Sequence, residues 1–401
     1  MTEGFVITGA QVFDGNESRG RLDVRVVRGV IVAVGGPRTP GDQEIDGTGA
    51  TLLPGLIDAH THTDEASLRQ ALTFGITTEL DLLSMAGKMV PLRRTVAGSF
   101  DLADVRSASI GLTPAGGHPH QLRKEQGDPR WPTASSVAEV PGFVADRIAE
   151  GADYLKVIIE DGHVLGTSVP VLAQDVLEAA VREAHANGLK VLAHALTLEA
   201  TQRAVDAGAD GLTHLFLDAA HTPRIVDRIA EAGIFVIPTL STLASITGQG
   251  FGAELAADPR VRAKIPAVWL ESLAETWHTS PAENFAWALE TVAALHAAGV
   301  DVLAGTDAAH LGAPGMAHGA SLHGELGLLV CAGLTPLQAL HAATALTARR
   351  FGLADRGRVE PGLRADLLLV EGDPTTKIGD TLSVRAVWRQ GVRLGLSPAA
   401  V

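Results

Sequence analysis

The stretch that decides the fold is PGLIDAHTHTDE, from Pro54 to Glu65, in which an apolar lead ends in two histidines. The lead, residues 55–59, predicts a buried strand. Because side chains alternate along a strand with period two, His60 and His62 should lie on the same side of it. Two neighbouring imidazoles need either two hydrogen-bond partners or one shared cation, so the rest of the chain should supply such partners or further metal ligands.

Composition limits the class of protein. The chain has 401 residues, of which 46% are hydrophobic and 19% charged, as expected for a soluble globular protein with one large α/β domain and a smaller one. The formal charge of −14 argues against nucleic acid as a partner. The lone Cys331 excludes an intramolecular disulfide and fits a reducing cytosol. With neither a signal-peptide pattern nor a membrane-spanning apolar run, we expect a cytoplasmic protein that acts on a small molecule.

Two β-rich pieces flank a region in which strands and helices alternate. Residues 5–45 predict short strands and turns, and the same texture returns in residues 365–373 and 384–394. Since chain ends commonly lie close together, we expect one small β-sandwich domain from residues 1–54 plus 358–401. The second expected domain is residues 55–357.

The central region contains eight candidate strands, which is the count of a (β/α)8 TIM barrel, an α/β fold. They are residues 55–62, 75–83, 105–114, 153–159, 190–196, 211–216, 235–240 and 300–307. Amphipathic segments between them, some closing on a Gly suited to a helix C-cap, predict the outer helices. A doubly wound open sheet is the alternative, but no Gly-rich phosphate fingerprint follows the first strand.

Polar side chains at the predicted strand ends mark where a barrel carries its chemistry. Beyond the two histidines, the later strands supply Lys156, His194, His214 and Asp307. Lys156 is unusual, because burying an ammonium is costly and burial lowers its pKa. A neutral amine can react with CO₂ to give a carbamate, an anionic ligand able to bridge two divalent cations.

These residues divide into two metal sites. His60, His62 and Asp307 would hold one ion. His194 and His214 would hold the other, with Lys156 as N6-carboxylysine between the two ions. Imidazole and oxygen ligands suit Zn²⁺ first, with Mn²⁺, Co²⁺ and Fe²⁺ as alternatives.

Each of these residues also has a plain structural interpretation. The paired histidines could simply satisfy hydrogen bonds, Lys156 could point outward between helices, and Asp307 could cap the helix that follows. The conjunction of all of them at predicted strand ends favours the metal centre.

With these residues in place, the chain resembles the amidohydrolase superfamily, in its prolidase-like and imidazolonepropionase-like branch. The resemblance is carried by PGLIDAHTH, GITTELDLL, GGHPH, LKVII, AHALTLEATQRAVDAGADGLTHL, PTLSTL, GTD, GLTPLQALHAATALTARRFGL and GRVEPGLRADLLLVEGDP. It implies a TIM barrel with a small β-sandwich from both chain ends. It also implies a binuclear centre on His60, His62, carboxylated Lys156, His194, His214 and Asp307. In GGHPH, it implies a substrate contact from His118, with His120 as the second candidate.

One departure from the family pattern concerns the substrate. Members that remove C-terminal amino acids from dipeptides usually carry a Gly-Tyr segment after the lysine strand, which helps to hold the substrate carboxylate. Residues 160–175, EDGHVLGTSVPVLAQD, contain no tyrosine, and the basic side chain nearest to them is Arg182, which we expect on a helix surface. The sequence therefore argues against carboxypeptidase or prolidase activity.

The predicted function is hydrolysis of an amide or related C–N bond by a metal-bridging hydroxide, because metal coordination lowers the pKa of water to about 7. Asp307 would move the proton to the leaving group, and His118 would donate a hydrogen bond to the developing oxyanion. Carbamates, lactones or esters, and phosphotriesters stay open as substrates of the same site. A catalytically inactive barrel acting as a binding protein is the non-enzyme alternative, but every expected ligand position is filled.

Two connections exceed ordinary βα loops, residues 114–136 and 241–281. The second contains Trp269 and Trp277 in a chain with five tryptophans. Apolar rings at a pocket mouth would bind apolar substrate groups. The alternatives are a helical insertion packed on the outside of the barrel and a contact within a homo-oligomer.

Overall fold

A computed structural model describes residues 4–120, 131–309 and 313–395. The ends of the expected sandwich domain, residues 1–3 and 396–401, lie outside the described residues. So do residues 121–130 of the long connection after the third barrel strand.

The strands that precede the barrel are short, as expected where β-branched residues alternate with Gly, Asn and Asp turns. They are β1 (Gly4–Thr8), β2 (Gln11–Phe13), β3 (Ser18–Arg21), β4 (Val24–Val27), β5 (Val30–Val34), β6 (Gln43–Asp46) and β7 (Ala50–Pro54). The barrel strands follow as β8 (Leu56–Thr61), β9 (Ile76–Asp81), β10 (Asp104–Ser107), β11 (Leu155–Ile159), β12 (Val191–Ala195), β13 (Gly211–Thr213) and β14 (Phe235–Ile237). Near the C-terminal end lie β15 (Leu367–Glu371), β16 (Val384–Arg389) and β17 (Val392–Arg393).

The strands from the two ends of the chain meet in one sheet. Its order is β17-β16-β15-β7-β2-β3, and β15 pairs antiparallel with β7. A second sheet, β5-β4-β1-β6, shares a buried core with it, to which Ile7 and Ile31 contribute from one sheet and Leu52 and Trp388 from the other. The domain limits at residues 54 and 358 stay a prediction.

The barrel strands form two parallel sheets, β10-β9-β8 and β11-β12-β13-β14. Their residues are buried throughout in β8, β9 and β11, as expected for parallel strands covered on both faces. An isolated bridge between Leu112 and Val157 joins the two sheets on one side. The architecture is therefore of the α/β, TIM-barrel-like type.

The eighth predicted strand, residues 300–307, makes isolated bridges rather than a regular strand. Val302 bridges to Val236, and Ala308 bridges to Thr61, so the segment lies between β14 and β8. Gly305 permits this close approach, because an added Cβ would lie 2.8 Å from the backbone nitrogen of His60.

Left-handed backbone conformations end the pairing at several barrel strands. His214, Thr239 and Asp307 have φ values of 70°, 48° and 61°. L-residues adopt this region rarely, and each instance costs on the order of 1–3 kcal/mol. This explains why β13, β14 and the eighth segment are shorter than the sequence predicted, and it locates the strain at candidate site residues.

The helices before the seventh strand are α1 (Glu65–Thr73), α2 (Ala86–Ala97), α3 (Val140–Ala149), α4 (Gln174–Ala186), α5 (Leu198–Ala207) and α6 (Pro223–Glu231). After it come α7 (Leu240–Ile246), α8 (Phe251–Ala257), α9 (Pro259–Arg262), α10 (Ala267–Ala274), α11 (Asn284–Ala297), α12 (Ala320–Cys331), α13 (Pro336–Ala342) and α14 (Ala345–Arg350). Short 3-10 turns lie at Val137–Glu139 and Ile378–Leu382. The long connection 241–281 is thus largely helical. Within the described ranges, no helix is long and apolar enough to cross a bilayer.

A buried carboxylate fixes the start of α7. Glu325 on α12 accepts hydrogen bonds from the backbone N–H groups of Leu240 (2.9 Å) and Ser241 (2.7 Å) and from the Ser241 hydroxyl (2.8 Å). The helix has no side-chain cap of its own, so Glu325 satisfies its first amides. Burial raises the pKa of Glu325 to about 7.

The contribution of the Glu325 carboxyl to stability should depend on pH, and the Glu325→Gln variant should lack this dependence. Because its folded-state pKa lies above the ordinary 4.5, the proton stabilises the folded state below about pH 4.5, and that contribution is lost as the pH rises through about 7. We expect the advantage of the wild type over Glu325→Gln in free energy of unfolding to shrink across that window. Urea denaturation at a series of pH values measures it, with exposed Glu290→Gln as control. A pH-independent difference would contradict the assignment.

Candidate metal centre

His60 and His62 converge on Asp307 across the seam between β8 and the eighth segment. The Nε2 atoms of the two histidines lie 3.1 Å and 2.8 Å from Asp307 Oδ1. One potential ligand atom from each of the three residues lies within 4.8 Å of the other two. The sequence pattern of two histidines and a distant aspartate therefore becomes one cluster of donors that can share a cation.

A second buried carboxylate holds the backbone of this cluster. Asp58 accepts hydrogen bonds from the backbone N–H groups of His60 (3.2 Å) and Thr306 (3.0 Å), and from the Thr306 hydroxyl (2.7 Å). The backbone N–H of Asp307 donates to the His60 carbonyl at 2.8 Å. The first and last strand ends of the barrel are thus tied to each other beside the candidate ligands.

Five imidazoles form a continuous row from this cluster. The ring centroids are 5.4 Å apart for His62 and His60, and 4.9 Å apart for His60 and His214. The row continues with His194, 4.6 Å from His214, and ends with His118, 5.2 Å from His194. The structure therefore brings together all four predicted histidine ligands and the predicted substrate contact His118.

Three of the candidate ligands have one ring nitrogen in contact with a protein group outside the ligand set. These partners are the Leu83 carbonyl for His62 Nδ1 (3.3 Å), Thr239 Oγ1 for His214 Nδ1 (2.7 Å) and Glu160 Oε2 for His194 Nε2 (2.9 Å). Such partners orient a metal-binding imidazole and select its tautomer. His60 differs, since its Nδ1 is buried without a hydrogen-bond partner.

Burial favours the neutral form in four of the five imidazoles of the row. Desolvation lowers the pKa of His60, His118 and His194 to about 3, and that of His214 well below its ordinary range. Burial also disfavours the charged form of His62, but its hydrogen bond to Asp307 and the attraction to that carboxylate raise the pKa of His62 above its ordinary value. Burial alone would raise the pKa of Asp307, but attraction to His60 and the hydrogen bonds from the HxH pair hold it well below its usual value. Neutral imidazoles and an ionised carboxylate are the forms that bind a divalent cation.

Lys156 lies inside β11 and is 3% exposed. Its Nζ donates a hydrogen bond to Thr213 Oγ1 at 2.5 Å. It pairs in register with Leu192, two residues before His194, so the lysine and the histidine share one face of the sheet. Burial lowers the pKa of Lys156 to about 7, which populates the neutral amine that can add CO₂.

The other histidine of GGHPH is placed differently. The ring of His120 meets Trp131 at 6.0 Å, and its Nδ1 lies 2.6 Å from the Gly117 carbonyl. Of the two candidates for the substrate contact, His118 is therefore the one that lies against the imidazole row.

The two tryptophans of the long connection differ in their surroundings. Trp269, on α10, is partly buried against the main hydrophobic core and meets His318 edge-on at 6.3 Å. This position agrees with the packing alternative. Trp277 is 41% exposed, and its backbone N–H donates to Ser245 Oγ at 3.2 Å.

The segment of Trp277 borders the loop that follows the lysine strand. Ser280, three residues on, donates a hydrogen bond to the Val164 carbonyl at 3.0 Å. Loops that follow barrel strands lie on the catalytic rim. Trp277 is therefore the tryptophan whose surroundings suit contact with a substrate.

Sequence reasoning missed Glu160, Thr239 and Asp58, although each touches a candidate ligand or its backbone. A signal existed for Glu160. It stands four residues after Lys156, and strand alternation puts positions separated by an even number on the same face. Thr239 gave no such signal, because its role depends on a left-handed backbone after β14.

Comparison with known proteins identifies the family of the chain. The model of the amidohydrolase family matches residues 51–394. An uncharacterized protein of Mycobacterium tuberculosis is 28% identical over 341 residues, covering 81% of this chain and 80% of its own. The imidazolonepropionase of Deinococcus deserti is 26% identical over 415 residues, covering 93% of each. A Xaa-Pro dipeptidase crystallised with methionine shares the fold, with a TM-score of 0.77 at 22% identity over 98% of this chain and 99% of that one. The resemblance predicted from the sequence is confirmed, and the chain belongs to the amidohydrolase family.

Proposed function

We propose that this chain is a binuclear metal-dependent hydrolase that cleaves an amide or related C–N bond of a small molecule. Family membership supports hydrolysis of this kind. The observation that carries the proposal is the convergence of His60, His62 and Asp307 within 4.8 Å, at one end of a row that continues to His214 and His194.

The donor set fits two divalent cations. His60, His62 and Asp307 would hold one, and His194 and His214 the other, with Lys156 as the carboxylated bridge. Zn²⁺ is the expected ion, because neutral imidazoles and carboxylates are ligands that it prefers. When bound, the ions supply an activated water and a positive charge at the scissile carbonyl.

The chain's own residues then handle protons and orientation. Asp307, ionised and buried against the HxH pair, can take a proton on its carboxylate and release it to the leaving nitrogen. His118, kept neutral by burial, can donate one ring N–H to oxygen that gains negative charge. The surrounding buried faces exclude bulk water, which strengthens both interactions.

The proposed substrate lacks a free carboxylate next to the scissile bond. Residues 160–175 contain no tyrosine, and they begin with Glu160 and Asp161. Glu160 is fully buried beside His194, and although burial raises its pKa, its ionised form would repel an incoming carboxylate at this strand end. This supports a neutral amide, cyclic amide or carbamate rather than a dipeptide.

The bridging role of Lys156 can be tested by metal content. Wild type purified without chelator should hold about two ions per chain, as expected for a two-metal site. Lys156→Ala should hold at most one ion per chain and lose most activity, because the proposed carbamate between the two ions is gone. Added short carboxylic acids should restore part of the activity by replacing the carbamate. Lys190→Ala, an exposed lysine, is the control, and a fully active metal-free preparation would refute the proposal.

The two tryptophans give a paired test of substrate selection. Trp277→Ala should leave metal content and stability intact and lower kcat/KM unevenly, most for substrates with large apolar groups. Trp269→Ala should lower the melting temperature instead, because it removes a ring packed on the core. A uniform loss across substrates in Trp277→Ala would show that this ring does not select them.

A further inference from the structure

Glu160 is a buried carboxylate beside the second proposed metal site. It follows β11 directly, and its side chain is 0% exposed. Oε1 accepts a hydrogen bond from the Gly162 backbone N–H at 2.6 Å, and Oε2 lies 2.9 Å from His194 Nε2. The predicted ligand set gives this residue no role.

The contact with His194 has a defined polarity when Glu160 is ionised. An ionised carboxylate can only accept hydrogen bonds, so the proton of the contact must be on His194 Nε2. A neutral imidazole carries one N–H, which leaves a lone pair on Nδ1. Because Glu160 contacts Nε2, Nδ1 is the ring nitrogen of His194 that is left to bind an ion.

We propose that Glu160 is a positioning residue that fixes the His194 proton on Nε2 and presents Nδ1 to the second metal ion. This inference rests on the proposed binuclear function. The carboxylate also makes the imidazole more electron-rich, which strengthens its bond to a cation, as carboxylate partners of metal-binding histidines do.

His194 is contacted through the ring nitrogen opposite to the one used in His62 and His214. His62 and His214 are each held through Nδ1, by the Leu83 carbonyl and by Thr239 Oγ1, which leaves Nε2 for an ion. His194 is held through Nε2. The two ligands of the second ion would therefore bind it through different ring nitrogens, and only one of them depends on a carboxylate.

Zinc affinity provides the first measurement. The two dissociation constants of Zn²⁺ are obtained by competition with a chromophoric chelator for wild type, Glu160→Gln, Glu160→Ala and the control Asp161→Asn, which removes an exposed neighbouring charge. We expect the weaker constant to rise about 10–100-fold in Glu160→Ala and less in Glu160→Gln, whose amide oxygen can still accept from Nε2. The tighter constant should stay the same in both Glu160 variants, and both constants should stay the same in Asp161→Asn. Unchanged affinity in both Glu160 variants would overturn the inference.

The ring nitrogens provide the second measurement, which needs no variant. Long-range ¹H–¹⁵N correlation spectra of zinc-loaded wild type, labelled with ¹⁵N-histidine, should show His194 protonated at Nε2 and metal-bound at Nδ1, with His214 metal-bound at Nε2. Metal bound at His194 Nε2 would overturn the inference while leaving the binuclear function in place. A wild type that binds only one zinc ion would overturn both.

Discussion

The contact between Asp307 and the HxH pair is the interaction on which the rest of the structure depends. It joins the first and the last strand ends of the barrel, with His60 and His62 Nε2 at 3.1 Å and 2.8 Å from one carboxylate oxygen. The backbone beneath it is fixed by Asp58, which bonds both segments. Burying so many polar groups is costly unless a partner satisfies them. A pair of divalent cations would supply that partner. The buried imidazoles and carboxylates that are costly for folding are therefore the groups that suit the protein to bind metal.

The site divides between rigid strand ends and adaptable loops. The candidate ligands lie in the barrel strands or at their ends, where carboxylates, threonine hydroxyls or a backbone carbonyl contact them, and regular elements maintain precise geometry best. We assign substrate selection, as a proposal, to the segments that follow the strands, where Ser280, three residues after Trp277, donates a hydrogen bond to the Val164 carbonyl of the loop after β11. Amidohydrolases of one fold can therefore share metal chemistry and differ in substrate, because the two properties reside in different parts of the chain.

Much of this could be predicted from the sequence, because the strongest signals are periodic. The HxH pair and the later histidine and aspartate ligands stand at or near the ends of apolar runs, and parallel strands bring such ends to one face. Lys156 is expected at a strand end but is the second residue of β11, where strand alternation keeps it on the face of His194. The shortened strands could not be predicted, because Thr239 and Asp307 leave the extended region under tertiary constraint. Glu325 could not be predicted either, since it caps a helix 84 residues away in sequence. The short helices of residues 240–274 depend on packing rather than on their own propensity.

The central claim is that two ions share a carboxylated lysine between the HxH–Asp cluster and the second histidine pair. Crystals of the zinc-loaded protein, measured on both sides of the zinc absorption edge, test it most directly. We predict two anomalous peaks, one bonded to His60, His62 and Asp307 and the other to His194 and His214, with continuous density beyond Lys156 Nζ that reaches both. A single peak in fully active crystals, or density that ends at Nζ between two occupied sites, would contradict the account.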